Sequence, residues 1–477
     1  MRIRYEASTL TDIQQAITSC QGALQSWAQT PVNDRCEILL RAARLLEDQS
    51  TGWSMRLRDA NRYETDISDF WSQAQIDEAP GSIKSLVGFA GRALEPEIVR
   101  LPEATVHITR EPFGICLAMP AWNAVHALTM RSIITPLLAG NTVLLKTSET
   151  TPYTQYLWAT LLHEAGVPKA ALNVIHIAPK DAPVLVEALI SDKRIRHVNF
   201  TGSTRVGSII ASLAGRYLKP TLMELGGKAP VIILPDADLE IAASHIIFGA
   251  FMNAGQLCMS TERIIVQASQ YDALVDAFRA AWKGLGRGRT RALYSKTSAD
   301  RINGLLDAAL AQGAISLLDD SENALTTKTT ASSQSGPGTV IPPTLLGRVT
   351  REMKIFREET FAPVAVVIVV ADKGRREEEL ITEMVDLAND SDYGLTAAVW
   401  GRDVKQALAV AERIEAGAVH LNKPTNADPP NVPHGGWKSS GWGRFNGVEG
   451  LRSFTQSRSI EIPYHDSHPM PLHMFGL

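Results

Sequence analysis

From Gly114 onward, short apolar runs broken by Gly and Pro alternate with stretches of helical periodicity. Gly114–Met119, Thr142–Leu145, Asn173–His176 and His197–Phe200 read as buried strands, because brief apolar runs bounded by turn residues suit strands covered on both faces. Helical stretches at about 126–138, 152–165, 181–190 and 204–214 separate them. Neighbouring parallel strands require such crossovers, so the pattern commits this part of the chain to an α/β fold around a parallel sheet. A second alternating region runs from Ala229–Ile233 to Ala418–Leu421. Residues 11–48 carry helical spacing through Ile13, Ala16, Ile17, Leu39, Leu40, Ala43 and Leu46. Residues 98–112 and 452–464 alternate like strands, and 321–339, rich in Ser and Thr, reads as a surface loop.

At 477 residues the chain exceeds what one hydrophobic core supports and implies two or three domains. A net charge of −4 without a Lys/Arg cluster argues against nucleic acid as a partner. The longest apolar stretch, Pro363–Ala371, falls far short of the ~18 residues of a membrane span, and Met1–Glu6 lacks an apolar signal core. A cytoplasmic chain with no membrane partner is the expectation. Cys20, Cys36, Cys116 and Cys258 have no metal-ligand spacing, so no metal is expected, and a free thiol suits a reducing compartment.

Chemistry concentrates in three segments. Phe251–Cys258 ends in a thiol, a strong nucleophile even when little of it is ionised. Upstream, Glu224-Leu-Gly-Gly-Lys228 offers a carboxylate to manage protons and water, with two glycines expected to let the backbone turn tightly beside it. Pro120-Ala-Trp-Asn123 offers an amide that can steady an oxyanion without acting as a base. Plainer readings stand beside these: a small buried cysteine, a surface or capping glutamate, a turn asparagine. For a phosphate, Asn199–Gly207 places Gly202 and Ser203 at a strand-to-helix junction, where helix-terminal N–H groups and a hydroxyl can receive it. The run Gly284-Leu-Gly-Arg-Gly288 follows an amphipathic helix rather than a strand and reads as a loop.

Together and in this order, the three segments resemble the NAD(P)-dependent aldehyde dehydrogenase superfamily, from about Asp12 to the last residues. The resemblance implies an aldehyde dehydrogenase-like α/β fold with a Rossmann-type dinucleotide-binding domain over 1–97 and 113–226. It adds a catalytic domain over 227–451, and a small β arm over 98–112 and 452–477 through which subunits pair as a homodimer or homotetramer. It implies that Cys258 attacks an aldehyde to give a thiohemiacetal, that hydride leaves to NAD, and that Glu224 activates the water that hydrolyses the thioester. Coenzyme A is disfavoured as acyl acceptor, since relatives that use it typically lack this glutamate. Asn123, with the Cys258 N–H, is the implied oxyanion site, although Ala121 stands where proline is more usual.

On the cofactor side the resemblance implies Trp122 and, at an adenosine ribose, Lys146 and Glu149 of Lys146-Thr-Ser-Glu149. The Glu149 charge would repel a 2′-phosphate, which favours NAD and leaves NADP as the alternative. Glu358–Val364 is similar to the family's nicotinamide-side motif, with Glu359 on the ribose, Phe361 near the ring, and Ala362 where glycine is usual. The chain begins close to the first family helix without the usual lead-in, and 284–297 lacks a Gly-Asp-Pro turn.

The C-terminal signature Pro433–Phe445 has His434 where Phe is common, and Gly443-Arg-Phe445 resembles the branch of salicylaldehyde, vanillin and benzaldehyde dehydrogenases. After Asn123, Ala124, Leu128 and Arg131 share one helix face that would line an aldehyde tunnel, with Arg131 about two turns, ~10 Å, beyond Ala124. Arg131 and His434 are thus candidate contacts for an oxygenated, aromatic aldehyde. Against this stand an Arg131 that merely forms an internal salt bridge and a packed, uncharged His434. Aliphatic aldehydes, a thioester-transferring or esterase activity, and a catalytically silent binding member of the family are the alternatives.

Overall fold

The computed structural model describes residues 5–65, 67–284, 292–318 and 339–464. The run Gly284–Gly288 and the segment 321–339 lie outside the described residues, apart from their end residues Gly284 and Thr339.

The expected strands form one six-stranded sheet. Its order is Gly441–Trp442, Thr221–Glu224, Ile195–Thr201, Ile115–Met119, Thr142–Lys146 and Leu172–Ile175. All neighbours are parallel except Gly441–Trp442. The crossovers are the helices Val125–Leu138, Pro152–Ala165, Ala182–Ser191 and Thr204–Arg216. Val143 and Leu145 enter a core with Trp27, Trp53 and Trp158, whereas Leu144 between them packs with Ile13, Ile17 and Leu189. That division follows the two-residue period of the pleat. Because helices cover both faces, the strand is apolar throughout rather than alternating.

The helical span 11–48 is two helices, Leu10–Gln29 and Val32–Glu47. Thr9 and Asp12 cap the first reciprocally, at 3.3 and 2.7 Å. Pro31 divides them, because the residue before a proline is pushed out of helical conformation, and Thr30 has ψ 126°.

A seven-stranded sheet carries the second alternating region. Its order is Ile315–Ser316, Thr344–Gly347, Val364–Val370, Thr261–Gln267, Ala229–Ile233, Thr396–Trp400 and Ala418–Leu421. Only the Ile315–Ser316 pairing is antiparallel. Again alternate residues part: Val231, Ile264 and Val266 serve one core, and Ile232 and Ile265 the other.

Residues 98–112 are two strands rather than one. Glu97–Arg100 and Ala104–Pro112 form a hairpin closed by Leu101 N–H donating to Ala104 O at 2.8 Å, with Pro102, which has no N–H to pair, in the turn. Thr455–Pro463 completes a three-stranded antiparallel sheet. Residues 441–454 also depart from the domain division read from sequence. Gly441–Trp442 extends the first sheet, Leu451 joins the core around Trp158, and Phe445 and Phe454 pack with Cys116 and Leu222. A two-residue strand has no periodicity to read; Gly441, at φ 107°, fits because a Cβ there would strike the Met223 carbonyl. Among the described residues no helix is long and apolar enough to cross a membrane.

In the first sheet the chain steps outward from Ile115–Met119 to Leu172–Ile175, then returns to the other side at Ile195–Thr201. Such a reversal opens a crevice beyond the carboxyl ends of the strands. Pro120–Asn123, Lys146, Gly202–Ser203 and Glu224 all lie at those ends. The second sheet contributes segments before its strands: Lys228 before Ala229, Cys258 before Thr261, and Glu359–Phe361 before Val364.

Candidate active site

The chain reaches Cys258 through a sharp left-handed bend. Asn253, Ala254 and Gly255 have φ of 52°, 56° and 67°. Non-glycine residues in this region carry strain of roughly 1–3 kcal/mol, which persists only where the surroundings enforce it. Here Asn253 Nδ2 donates to Asn123 O at 3.2 Å, and Asn123 Nδ2 donates to Gln256 O at 3.0 Å. A Cβ on Gly255 would strike the Ala362 carbonyl. On the far side of Cys258, Thr425 Oγ1 donates to Met259 O at 2.6 Å. Cys258 is a free, partly buried thiol. Burial first, then the Glu224 charge, push its pKa up, with Arg131 opposing them.

Gly226 and Gly227 act through space rather than through a turn. Neither has a positive φ. A Cβ on Gly227 would strike the Cys258 carbonyl, and one on Gly226 would strike the Glu359 carboxylate. The Glu224 segment and the cysteine loop therefore touch backbone to backbone, which only glycine permits.

Glu224 is buried, with both oxygens engaged. Arg131 Nη2 donates to Oε2, Thr201 Oγ1 donates to the same oxygen at 3.3 Å, and His434 Nε2 donates to Oε1 at 3.2 Å. Asp428 links the two cationic groups: Arg131 Nη1 donates to its Oδ2 at 2.8 Å, and His434 Nδ1 lies 3.5 Å from its Oδ1. Burial alone would raise the Glu224 pKa, but Arg131 and then His434 outweigh it and bring it to about 2. His434 shows the complementary effect: burial lowers its pKa, yet Asp428 and Glu224 together raise it.

This geometry corrects the substrate-side expectations for Arg131 and His434. Both are turned onto Glu224 rather than standing free on a tunnel wall, and Arg131 also lies over the Phe445 ring at 4.8 Å. The plainer reading of Arg131 as an internal salt bridge is the observed one, whereas His434 is hydrogen-bonded, not a bare packed ring. Ala124 is the half-buried N-cap of Val125–Leu138, and Leu128, whose N–H donates to Ala124 O at 2.9 Å, is buried one turn on.

The cofactor candidates share the crevice. Ser203 caps Thr204–Arg216 and accepts from Val206 N–H at 3.4 Å, and the other N–H groups of that helix end are of the kind that can receive an anion. A Cβ on Gly202 would meet the Phe200 ring. Lys146 ends its strand 3.6 Å from Glu149, whose side chain is exposed. Glu359 accepts from Gly227 N–H at 3.0 Å; burial and then Glu262 raise its pKa to about 7. Phe361 sits at φ 52°, and Trp122 meets it edge-on at 6.2 Å. An exposed carboxylate at Glu149, a second, less exposed one at Glu359 and a helix N-terminus fit the hydroxyls and phosphates of a dinucleotide.

Sequence reasoning missed Asp428, Tyr294 and Glu262. Tyr294 packs on Trp122 at 4.9 Å, and Glu262 holds the Glu359–Phe361 segment through backbone N–H groups. None lies in a motif; only tertiary contact reveals them.

Known proteins resemble this chain over nearly its whole length. The family model described as "Aldehyde dehydrogenase family" matches residues 2–460. A vanillin dehydrogenase from Pseudomonas sp. strain HR199 is 38% identical over 474 residues, covering 98% of this chain and 92% of the relative. A salicylaldehyde dehydrogenase from Pseudomonas putida is 35% identical over 472 residues, covering 97% and 92%. The crystal structure of a salicylaldehyde dehydrogenase from Pseudomonas putida G7 complexed with salicylaldehyde superposes with a TM-score of 0.87 at 34% identity, covering 97% of this chain and 93% of that one.

Proposed function

The chain belongs to the aldehyde dehydrogenase family, and from that premise we propose that it oxidises an aromatic aldehyde to the carboxylic acid with NAD, through a covalent intermediate on Cys258. The observation that carries the reading is the strapping of Asn123, Cys258 and Glu224 around one cleft, by the Asn123–Gln256 bond and the Gly227–Cys258 approach.

In this reading Cys258, once its thiol has released its proton to solvent, adds through Sγ to the aldehyde carbon, and the resulting oxyanion is received by the Asn123 amide and the Cys258 N–H. When bound, NAD accepts the hydride that leaves this carbon. Water then attacks the Cys258 thioester, passing a proton to Glu224; the C–S bond breaks, its electron pair stays on Sγ, and the acid departs. Burial of Glu224 limits the access of bulk water to its carboxylate. Kinship with the vanillin and salicylaldehyde enzymes, together with the Gly443-Arg-Phe445 match, supports an aromatic substrate. Glu149 at the ribose position supports NAD over NADP.

Subunit pairing through the antiparallel arm belongs to the same proposal. Ile98 and Val99 on one edge strand and Ile460 and Ile462 on the other are exposed, and an unpaired apolar edge invites another chain. NADH absorbance with a panel of aromatic and short aliphatic aldehydes tests the activity. Turnover of the aromatic members that Cys258→Ala abolishes is expected; no NADH from any aldehyde, or turnover that requires coenzyme A, would overturn it.

A further inference from the structure

Glu224 is expected to take a proton from water, yet it is gripped by two cationic side chains and held ionised to a pKa of about 2. A carboxylate that ionises so readily accepts a proton reluctantly. What sets the grip is not on the strand that carries Glu224. Asp428, on the loop after Ala418–Leu421, reaches Arg131 at 2.8 Å and His434 at 3.5 Å, so four side chains close a ring of alternating charge. Asn446 Nδ2 donates to Asp428 Oδ1 at 2.9 Å and fixes its orientation. The same loop reaches Met259 beside Cys258 through Thr425.

We propose that Asp428 is a positioning residue for deacylation: by holding Arg131 on one side and His434 on the other, it sets how tightly both grip Glu224, and so how readily Glu224 accepts the proton of the attacking water. The inference rests on the covalent reading above. Arg131 from the helix Val125–Leu138, Glu224 from its strand, Asp428 from the loop and His420 from Ala418–Leu421 are the charged or titratable groups that face His434. Arg444 nearby is turned to the carbonyls of Gly436 and Gly443. As pH rises His434 loses its proton, and a neutral imidazole can donate to only one of the two carboxylates. Glu224 then has one cationic partner fewer and accepts a proton more readily. Without the Asp428 charge, His434 surrenders its proton at lower pH, so the release comes earlier.

The test is a single turnover with enzyme in excess over hydroxybenzaldehyde and with saturating NAD, following NADH and, by acid quench, free hydroxybenzoate across pH. Wild-type acid release should lag NADH at low pH, and the lag should shorten as pH rises. Asp428→Asn should move that shortening to lower pH, and Asp428→Glu should restore the wild-type profile. His434→Gln, which keeps a neutral donor to Glu224, should make the lag independent of pH, and it serves equally if Asp428→Asn does not fold. Superposable pH profiles in wild type and Asp428→Asn, no lag at any pH, or NADH and acid slowed together would overturn the proposal. Intact mass separates the two readings: NADH without any acyl group on Cys258 in any variant removes the covalent mechanism itself.

Discussion

Lys228 and Glu262 form a buried ion pair, and the Glu262 carboxylate goes on to hold a second element. It accepts from Thr360 N–H at 3.0 and 2.9 Å and from Phe361 N–H at 3.2 Å. The pair therefore couples the segment after Glu224 to the left-handed bend at Phe361, where the cofactor's nicotinamide end is proposed to lie.

Removing the cation while leaving the buried carboxylate is the costly half of such a pair, about 3–5 kcal/mol. Lys228→Met is expected to lower the thermal midpoint and raise KM for NAD, because the Glu359–Phe361 segment loses its anchor. Differential scanning calorimetry and cofactor titration check both. An unchanged KM in a folded variant would show that the pair holds the core without reaching the cofactor site.

Cofactor choice turns on Glu149, whose exposed carboxylate sits 3.6 Å from Lys146. A 2′-phosphate placed there meets like charge, although Lys146 offsets part of it. Wild-type kcat/KM should favour NAD, and Glu149→Gln should narrow the preference by about tenfold, the effect of ~1.4 kcal/mol. Initial rates with both cofactors measure this. A wild type that prefers NADP contradicts the assignment.

Arg131→Leu and His434→Phe should change hydroxybenzaldehyde and hexanal oxidation by the same factor, because both side chains act on Glu224 rather than on the substrate. The change should appear in kcat with KM little changed. Steady-state kinetics on the two aldehydes decide it. A loss confined to the hydroxylated substrate would mean that these groups contact its ring oxygen after all.

The parallel sheets were legible because strands covered on both faces must be apolar throughout, as at Thr142–Lys146. That Cys258, Glu224 and Asn123 come near one another was foreshadowed by three runs whose residue types suit one chemistry, and the Asn123–Gln256 bond and the Gly227–Cys258 approach bring those runs together. The roles of Gly226 and Gly227 were misread as a turn, since a close backbone approach leaves the same mark in sequence. Helical spacing puts Arg131 on one face with Ala124 and Leu128, but it says nothing of a partner 93 residues away. Asp428 carried no signal: a lone acid between Ala427 and Pro429 becomes meaningful only when Arg131 and His434 converge on it.

The central claim is that Glu224 serves deacylation and not hydride transfer. Glu224→Gln, mixed with aldehyde and NAD and quenched in acid, should give about one NADH per active site in a burst, then slow turnover, with the acyl group mapped to Cys258 by peptide mass spectrometry. Undiminished steady-state turnover in this variant, or a burst with Cys258 unmodified, would contradict the account.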